Sequence, residues 1–199
     1  MVCTRKSIGS LILFAVAQIA IGNGIGPCPK IKYLDNFNIS RITGHWNEIE
    51  RSFYLMELIS SCVTMDIYEK AKGSLNVSIT TKSRWSGTLS ISDGTATSSK
   101  RDPSILNYRV TSQLPKAISR FLPGAGTYQV IKTDYDNYMV LYSCTTLAIA
   151  HYPIVHVDLA WILGRHKEIS AEVRADIYQF LSSYYIDSER LILAQNKDC

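Results

Sequence analysis

Apolar residues at every second position dominate the middle of this chain. Leu75, Val77 and Ile79 alternate with Asn76, Ser78 and Thr80, the period of a strand with one buried face. Gly44 to Arg51 reads as an earlier strand, and Ile59 to Tyr68 as a second, joined by a loop over 52–58. Ser86 to Ser92 alternates again, with Leu89 and Ile91 between hydroxyl residues, before Asp93-Gly94. Ile105 to Thr111 places Leu106, Tyr108 and Val110 on one face. Tyr128 to Cys144 holds two runs rich in β-branched and aromatic residues around Thr133, Asp134, Tyr135, Asp136 and Asn137, which supply turn chemistry; this predicts a β-hairpin. Ile154 to Leu163 completes eight strands. Only from Ser170 does the period change, with Val173, Ile177, Phe180, Leu181 and Tyr184 at helical spacing behind a plausible N-cap. Leu191 to Leu193 suggests one more short strand.

Eight consecutive strands with short connections, then one helix, point to an all-β fold: an eight-stranded antiparallel up-and-down β-barrel with a C-terminal α-helix packed outside. Closing such a sheet removes its edges and leaves an interior. Residues 23–40 read as an irregular arm. The stretch from Pro115 to Gly126 carries two prolines and two glycines and reads as a long connection.

The N-terminus changes the picture of where this barrel resides. Arg5 and Lys6 precede an apolar run from Ile8 to Ile21, followed by small residues at Ala20, Gly22, Gly24 and Gly26. This is the layout of a secretory signal peptide over residues 1–22, leaving 23–199 as a single domain; an uncleaved membrane anchor is the competing reading, disfavoured by the shortness of the run. Removing Cys3 with the leader leaves Cys28, Cys62, Cys144 and Cys199. An even set in an oxidising compartment implies two disulfides, with three possible connectivities. Asn38-Ile-Ser40 and Asn76-Val-Ser78 are glycosylation sequons that secretion makes meaningful.

Charge and candidate chemistry narrow the function by exclusion. Of the formal +4, Arg5 and Lys6 account for two, and the remaining +2 contains no dense basic run, so nucleic acid is not an expected partner. The histidines His45, His151, His156 and His166 form no metal-ligand motif, no C-x-x-C is present, and no Gly-x-Ser-x-Gly elbow occurs. Asp134 and Asp136 lie in a turn, where Asp is favoured for geometry alone. An enzyme is not expected, nor is a cofactor or metal.

Three motifs then give the chain a family likeness. They are Gly44-His45-Trp46, the Thr133-Asp134-Tyr135 turn with Tyr142-Ser143-Cys144, and the Arg165 that closes the His156 to Arg165 run. In this order, with four cysteines and a late helix, the chain resembles the lipocalins, and within them the apolipoprotein D group that includes insect bilin-binding and Lazarillo-like proteins. It departs from them at Asn47, where close relatives usually have Tyr, and between Pro115 and Tyr128. The resemblance implies that Gly44, Trp46, Thr133, Asp134, Tyr135 and Arg165 are structural, with the Arg stacked across the Trp at a closed barrel end. It also implies the disulfides Cys28–Cys144 and Cys62–Cys199. Some lipocalins are isomerases acting through a free pocket cysteine, but with these pairings none is left free.

If Cys62 and Cys144 face outward, their neighbours face inward. Alternation then lines the interior with Val63, Met65 and Ile67, with Met139 and Leu141, and with Tyr128 and Val130. Val157, Leu159, Trp161 and Leu163 follow from the last strand. The patterned strands add Leu75, Val77, Ile79, Leu89, Ile91, Leu106, Tyr108 and Val110. Met65, Ile67, Tyr108, Tyr128, Val130, Met139, Leu141, Leu159 and Trp161 are the expected ligand contacts, Tyr and Trp because they join a large apolar face to a hydrogen-bonding tip. The implied function is a secreted carrier of a small hydrophobic ligand: a fatty acid, sterol, retinoid or biliverdin-like pigment. The alternative is an extracellular protein that acts through its loops on a receptor or membrane, with an incidental cavity. Phe121 and Leu122 in the long connection are expected either to touch a membrane or lipoprotein surface or to fold over the mouth as a lid.

Overall fold

The computed structural model describes residues 23–53, 60–113, 124–149, 152–195 and 199. The expected leader, residues 54–58 of the expected loop, Ile59, His151, and Phe121 and Leu122 lie outside these residues. The strands are β1 (Asn23–Ile25), β2 (Gly44–Ser52), β3 (Ser60–Ala71), β4 (Ser74–Ser83) and β5 (Leu89–Ser98), then β6 (Ile105–Val110), β7 (Gly126–Thr133), β8 (Tyr138–Ile149), β9 (Tyr152–Gly164) and β10 (Leu191–Leu193). They form one sheet in the order β1-β9-β8-β7-β6-β5-β4-β3-β2-β10, and β9 pairs with β2 to close the eight strands β2 to β9 into an antiparallel barrel. The single α-helix among the described residues, α1 (Ala171–Ser183), begins at Ser170, whose side chain accepts from the Val173 amide. No helix among the described residues is long and apolar enough to cross a membrane.

By contact the chain divides into two compact units, Met1–Cys28 with Cys144–Asp158, and Pro29–Ser143 with Leu159–Cys199. In the first, β1 pairs antiparallel with β9, setting Asn23 opposite Val157 and Ile25 opposite Val155. The Cys28–Cys144 disulfide lies within this unit. Asn23 to Ile25 are therefore strand rather than irregular arm: the sheet offers β9 as a partner, which no local pattern announces.

The second unit holds the barrel core. Its closing seam sets Asn47 opposite Gly164, Glu48 opposite Leu163, Glu50 opposite Ile162 and Arg51 opposite Trp161, with a bulge between Glu48 and Glu50. β2 pairs with β3 through Gly44 to Asn47 and with β10 through Glu50 to Ser52. The tail beyond β10 is tied by the Cys62–Cys199 disulfide. On the outer face, α1 buries Ile177 and Leu181. It is also held by Lys132–Asp176 at 2.8 Å and Arg174–Glu50 at 2.7 Å. Tyr178 donates to the second Glu50 oxygen, and burial followed by this carboxylate pushes its pKa up to about 12.

β5 departs from the sequence expectation. It runs to Ser98, so Asp93-Gly94 lies inside a strand rather than at its end. Leu89 and Ile91 are 69% and 66% exposed, whereas Ala96 is buried. Their partners across β4 are Lys82 and Thr80, on the outer face, while Val77 and Ile79 lie opposite Gly94 and Ser92. The inner side of β5 carries the small residues Ser92, Gly94 and Ala96, and Tyr108 fills the space they leave. A Cβ built on Gly94 would come within 2.3–2.5 Å of the Tyr108 ring and hydroxyl.

Candidate ligand cavity

The closed end of the barrel is assembled around Trp46, which is fully buried and donates through its indole N–H to the Ile42 carbonyl at 2.8 Å. Arg165 lies over the ring at 3.6 Å from its centroid. The same guanidinium donates to the carbonyls of His45, Arg41 and Tyr135 at 3.1, 3.3 and 3.1 Å. A planar cation with five donors can cover an aromatic face and satisfy several strand-end carbonyls together. Gly44 is required beside it: its φ is +103°, and a Cβ there would stand 3.0 Å from Arg165 Nη1.

The β7–β8 turn packs against this cap. Asp134 accepts from the amides of Asp136, Asn137 and Tyr138 at 2.8–3.1 Å and from the Asn137 side chain at 2.8 Å. Burial pushes its carboxyl up, but these hydrogen bonds outweigh burial and hold it below the usual range. Tyr135 takes the left-handed conformation at φ 70° and stacks on Phe37, with Arg41 over its ring. Trp46, Arg165 and the turn thus seal one end of the interior.

Above this floor is a cavity in which water-sized molecules can place their centres throughout about 220 Å³. Of the expected contacts, Met65, Ile67, Tyr108, Tyr128, Met139, Leu141 and Trp161 border it. Val63, Leu75, Val77, Ile79, Leu106 and Leu163 do so as well. Two expected contacts do not. Val130 is fully buried in the packed core with Leu106 and Met139, and Leu159 stands half-buried two residues beyond Trp161, outside the lining. Alternation assigns a side chain to the interior but does not say at which height the interior is open.

Three aromatic side chains form a connected wall. Tyr108 and Tyr128 meet edge to face at 6.3 Å, and Tyr128 and Trp161 meet tilted at 5.5 Å. The Tyr128 hydroxyl donates to the Gly124 carbonyl at 2.6 Å. The Tyr108 hydroxyl is buried beside Ser92; burial raises its pKa, against the opposing effect of the Ser92 side chain.

Sequence reasoning missed Ile42, Glu48, Thr64, Thr81, Ala96 and Gly124, which also border the cavity. Thr64 pairs with Thr80 of the outer face and borders the cavity beside the irregular β3–β4 register between Ser61 and Thr64, where Cys62 adopts φ 53°. Glu48 stays on the face of Trp46, and the bulge after it returns Arg51 to that face. There the two form a buried ion pair, each 4% exposed. Among the described residues no three His, Cys, Asp or Glu side chains gather to hold a metal ion. Asn38 and Asn76 are both exposed.

Residues 43–198 match the family model described as the lipocalin / cytosolic fatty-acid binding protein family. The chain is 31% identical over 175 residues to apolipoprotein D of Cavia porcellus, covering 87% of this chain and 85% of that protein. It is 26% identical to the bilin-binding protein of Pieris brassicae, covering 92% of each. Among solved structures, insecticyanin of Manduca sexta superposes with a TM-score of 0.69 at 20% identity, over 88% of this chain and 89% of that one.

Proposed function

The chain belongs to the lipocalin / cytosolic fatty-acid binding protein family, and from that premise we propose that it is a secreted carrier of a small hydrophobic ligand held in the barrel. The observation that carries this reading is the cavity itself, walled by Tyr108, Tyr128 and Trp161 and floored over the Trp46–Arg165 cap. An apolar ligand gains roughly 25 cal/mol for each Å² removed from water, before association costs. The pigment in the name of the Pieris relative, a sterol, a retinoid and a fatty acid all suit such a wall. Two disulfides fit export to an oxidising compartment. Cleavage after Gly22 and glycans at the exposed Asn38 and Asn76 complete the proposal. Native mass spectrometry and solvent extraction of protein secreted by eukaryotic cells test it: a reproducible co-purifying lipid or pigment is expected. Protein that is always empty and takes up none of these ligands would overturn it.

A second reading rests on the β4–β5 hairpin. Trp85 at its tip is 86% exposed, and Leu89 and Ile91 continue an apolar strip down the outer face. Such a strip suits contact with a membrane or receptor, together with Phe121 and Leu122 in the long connection. A Trp85→Ser, Leu89→Ser variant that keeps liposome and cell-surface binding unchanged would count against it.

A further inference from the structure

The outer face of the β3–β4 pair sets a glycosylation sequon beside an exposed aromatic ring. Ile67, Leu75 and Val77 turn inward and are buried, so Tyr68 and Asn76 turn outward. Tyr68 lies directly opposite Asn76 in the register, and side chains so placed have their Cβ atoms about 4.5–5.5 Å apart. Tyr68 is 59% exposed, and Asn76 is exposed beside it. On the other flank of Asn76 stands Thr95, and its same-face neighbours on β4 are Ser74 and Ser78. A ring this open, among small hydroxyl side chains, presents apolar area next to the nitrogen that would carry a sugar. The Asn38 sequon is built differently. Asn38 Oδ1 accepts from the Ser40 amide at 3.0 Å, and the Ser40 hydroxyl donates to Glu69 at 3.1 Å. Tyr135 accepts from the Asn38 amide through its hydroxyl at 3.1 Å, but its ring is already engaged by Phe37 and Arg41.

We propose that the glycan on Asn76 folds back onto the sheet, with its first N-acetylglucosamine laid across the Tyr68 ring, as part of the packed surface. The inference rests on the secreted, glycosylated reading above and deepens it at one of the two sequons. A pyranose has an apolar face made of C–H groups, and the face of an aromatic ring is flat, polarisable and electron-rich. Laying one on the other gains dispersion contacts and removes apolar area of both from water. The strand register holds the ring beside the attachment point before any sugar is added, so little ordering of the protein opposes the contact. A glycan on Asn38 finds the Tyr135 ring occupied and projects into solvent. Tyr68 thus gives the two sequons different consequences: the sugar on Asn76 stabilises the β3–β4 hairpin, and the sugar on Asn38 does not.

Expression of the full chain as Asn38→Gln, in eukaryotic cells restricted to high-mannose glycans, isolates the Asn76 sugar. Intact mass of the secreted protein should show Asn76 occupied. Adding Asn76→Gln to this protein should lower Tm by about 2 °C or more. Endoglycosidase H, which leaves a single N-acetylglucosamine, should preserve most of that difference. Tyr68→Ser should at least halve the effect of the glycan, whereas Tyr68→Phe keeps the ring and should retain it. Each Tyr68 variant is compared with and without Asn76→Gln, so a change in strand propensity alone cancels from the cycle. A glycan effect as large in Tyr68→Ser as in the parent would overturn the inference while leaving glycosylation and the carrier reading in place. Secreted protein with Asn76 unoccupied would overturn it together with the glycan at that site. Protein retained inside the cells would remove the secreted reading and this inference with it, whereas the carrier reading stands or falls on the ligand extraction described above.

Discussion

Arg165 Cζ stands 3.6 Å from the centroid of the Trp46 ring while the guanidinium donates to three carbonyls, those of Arg41, His45 and Tyr135. One side chain thus ties β2, the segment before it and the β7–β8 turn to the end of β9. Arg165→Ala removes the stacking and all three of these hydrogen bonds. A loss of about 2–4 kcal/mol is expected in urea unfolding. Arg165→Lys should recover less than half, because an ammonium cannot cover the ring and reach all three acceptors. Equal stability of the alanine variant and the parent would show that the cap contributes nothing.

Gly94 is held open by Tyr108. Gly94→Ala drives a methyl into the Tyr108 ring, where a Cβ has 2.3 Å of room. Overpacking of this kind costs about 1–3 kcal/mol, and the displaced ring should also weaken ligand binding. In the double variant Gly94→Ala, Tyr108→Leu most of the stability loss should vanish. Thermal unfolding of the four-member cycle measures this coupling.

Trp161 should report the ligand. It borders the cavity against Tyr128, whereas Trp46 is buried at the closed end and Trp85 is exposed at a hairpin tip. A bound polyene or pigment should quench Trp161 most. Trp161→Phe should keep the fold, remove most of the ligand-induced quenching and weaken affinity several-fold. Unchanged quenching in that variant would place the ligand elsewhere.

The β7–β8 turn gives a pH dependence of known sign. The folded Asp134 carboxyl titrates below its unfolded value of 3.8. Its contribution is therefore complete above about pH 4 and is lost as pH falls through the lower folded pKa. Asp134→Ala should cost about 1 kcal/mol near neutrality, allowing for its partial exposure. The difference between variant and parent should shrink towards pH 2 in denaturant titrations. A gap that widens on acidification would contradict this sign.

The disulfides span 116 and 137 residues. In the chain-entropy model each contributes at most about 4–5 kcal/mol by restricting the unfolded chain. A Cys62→Ser, Cys199→Ser variant should lose several degrees in Tm and release the tail to proteolysis. An intact tail in that variant would mean that β10 pairing alone suffices.

Much of this protein was settled by local patterns. The β7–β8 turn is legible because Thr133, Asp134 and Asn137 solve its hydrogen bonds within a few residues. The start of α1 is legible because Ser170 caps it locally. Leu75 and Val77 on β4 alternate strictly with polar residues, so their face needs no partner to identify it. Period two, however, divides a strand into two faces without saying which is inner. On β5 the larger side chains, Leu89 and Ile91, lie outside. Gly94 and Ala96 lie inside because Tyr108, on the next strand, occupies the volume they leave. Likewise, simple alternation from Trp46 through Glu48 sends Glu50 inward and Arg51 outward. The bulge against β9 reverses both, giving Glu50 to the helix and Arg51 to Glu48. Which volumes are filled, and where the register slips, are decided by strands far apart in sequence, so only the tertiary structure could place these residues.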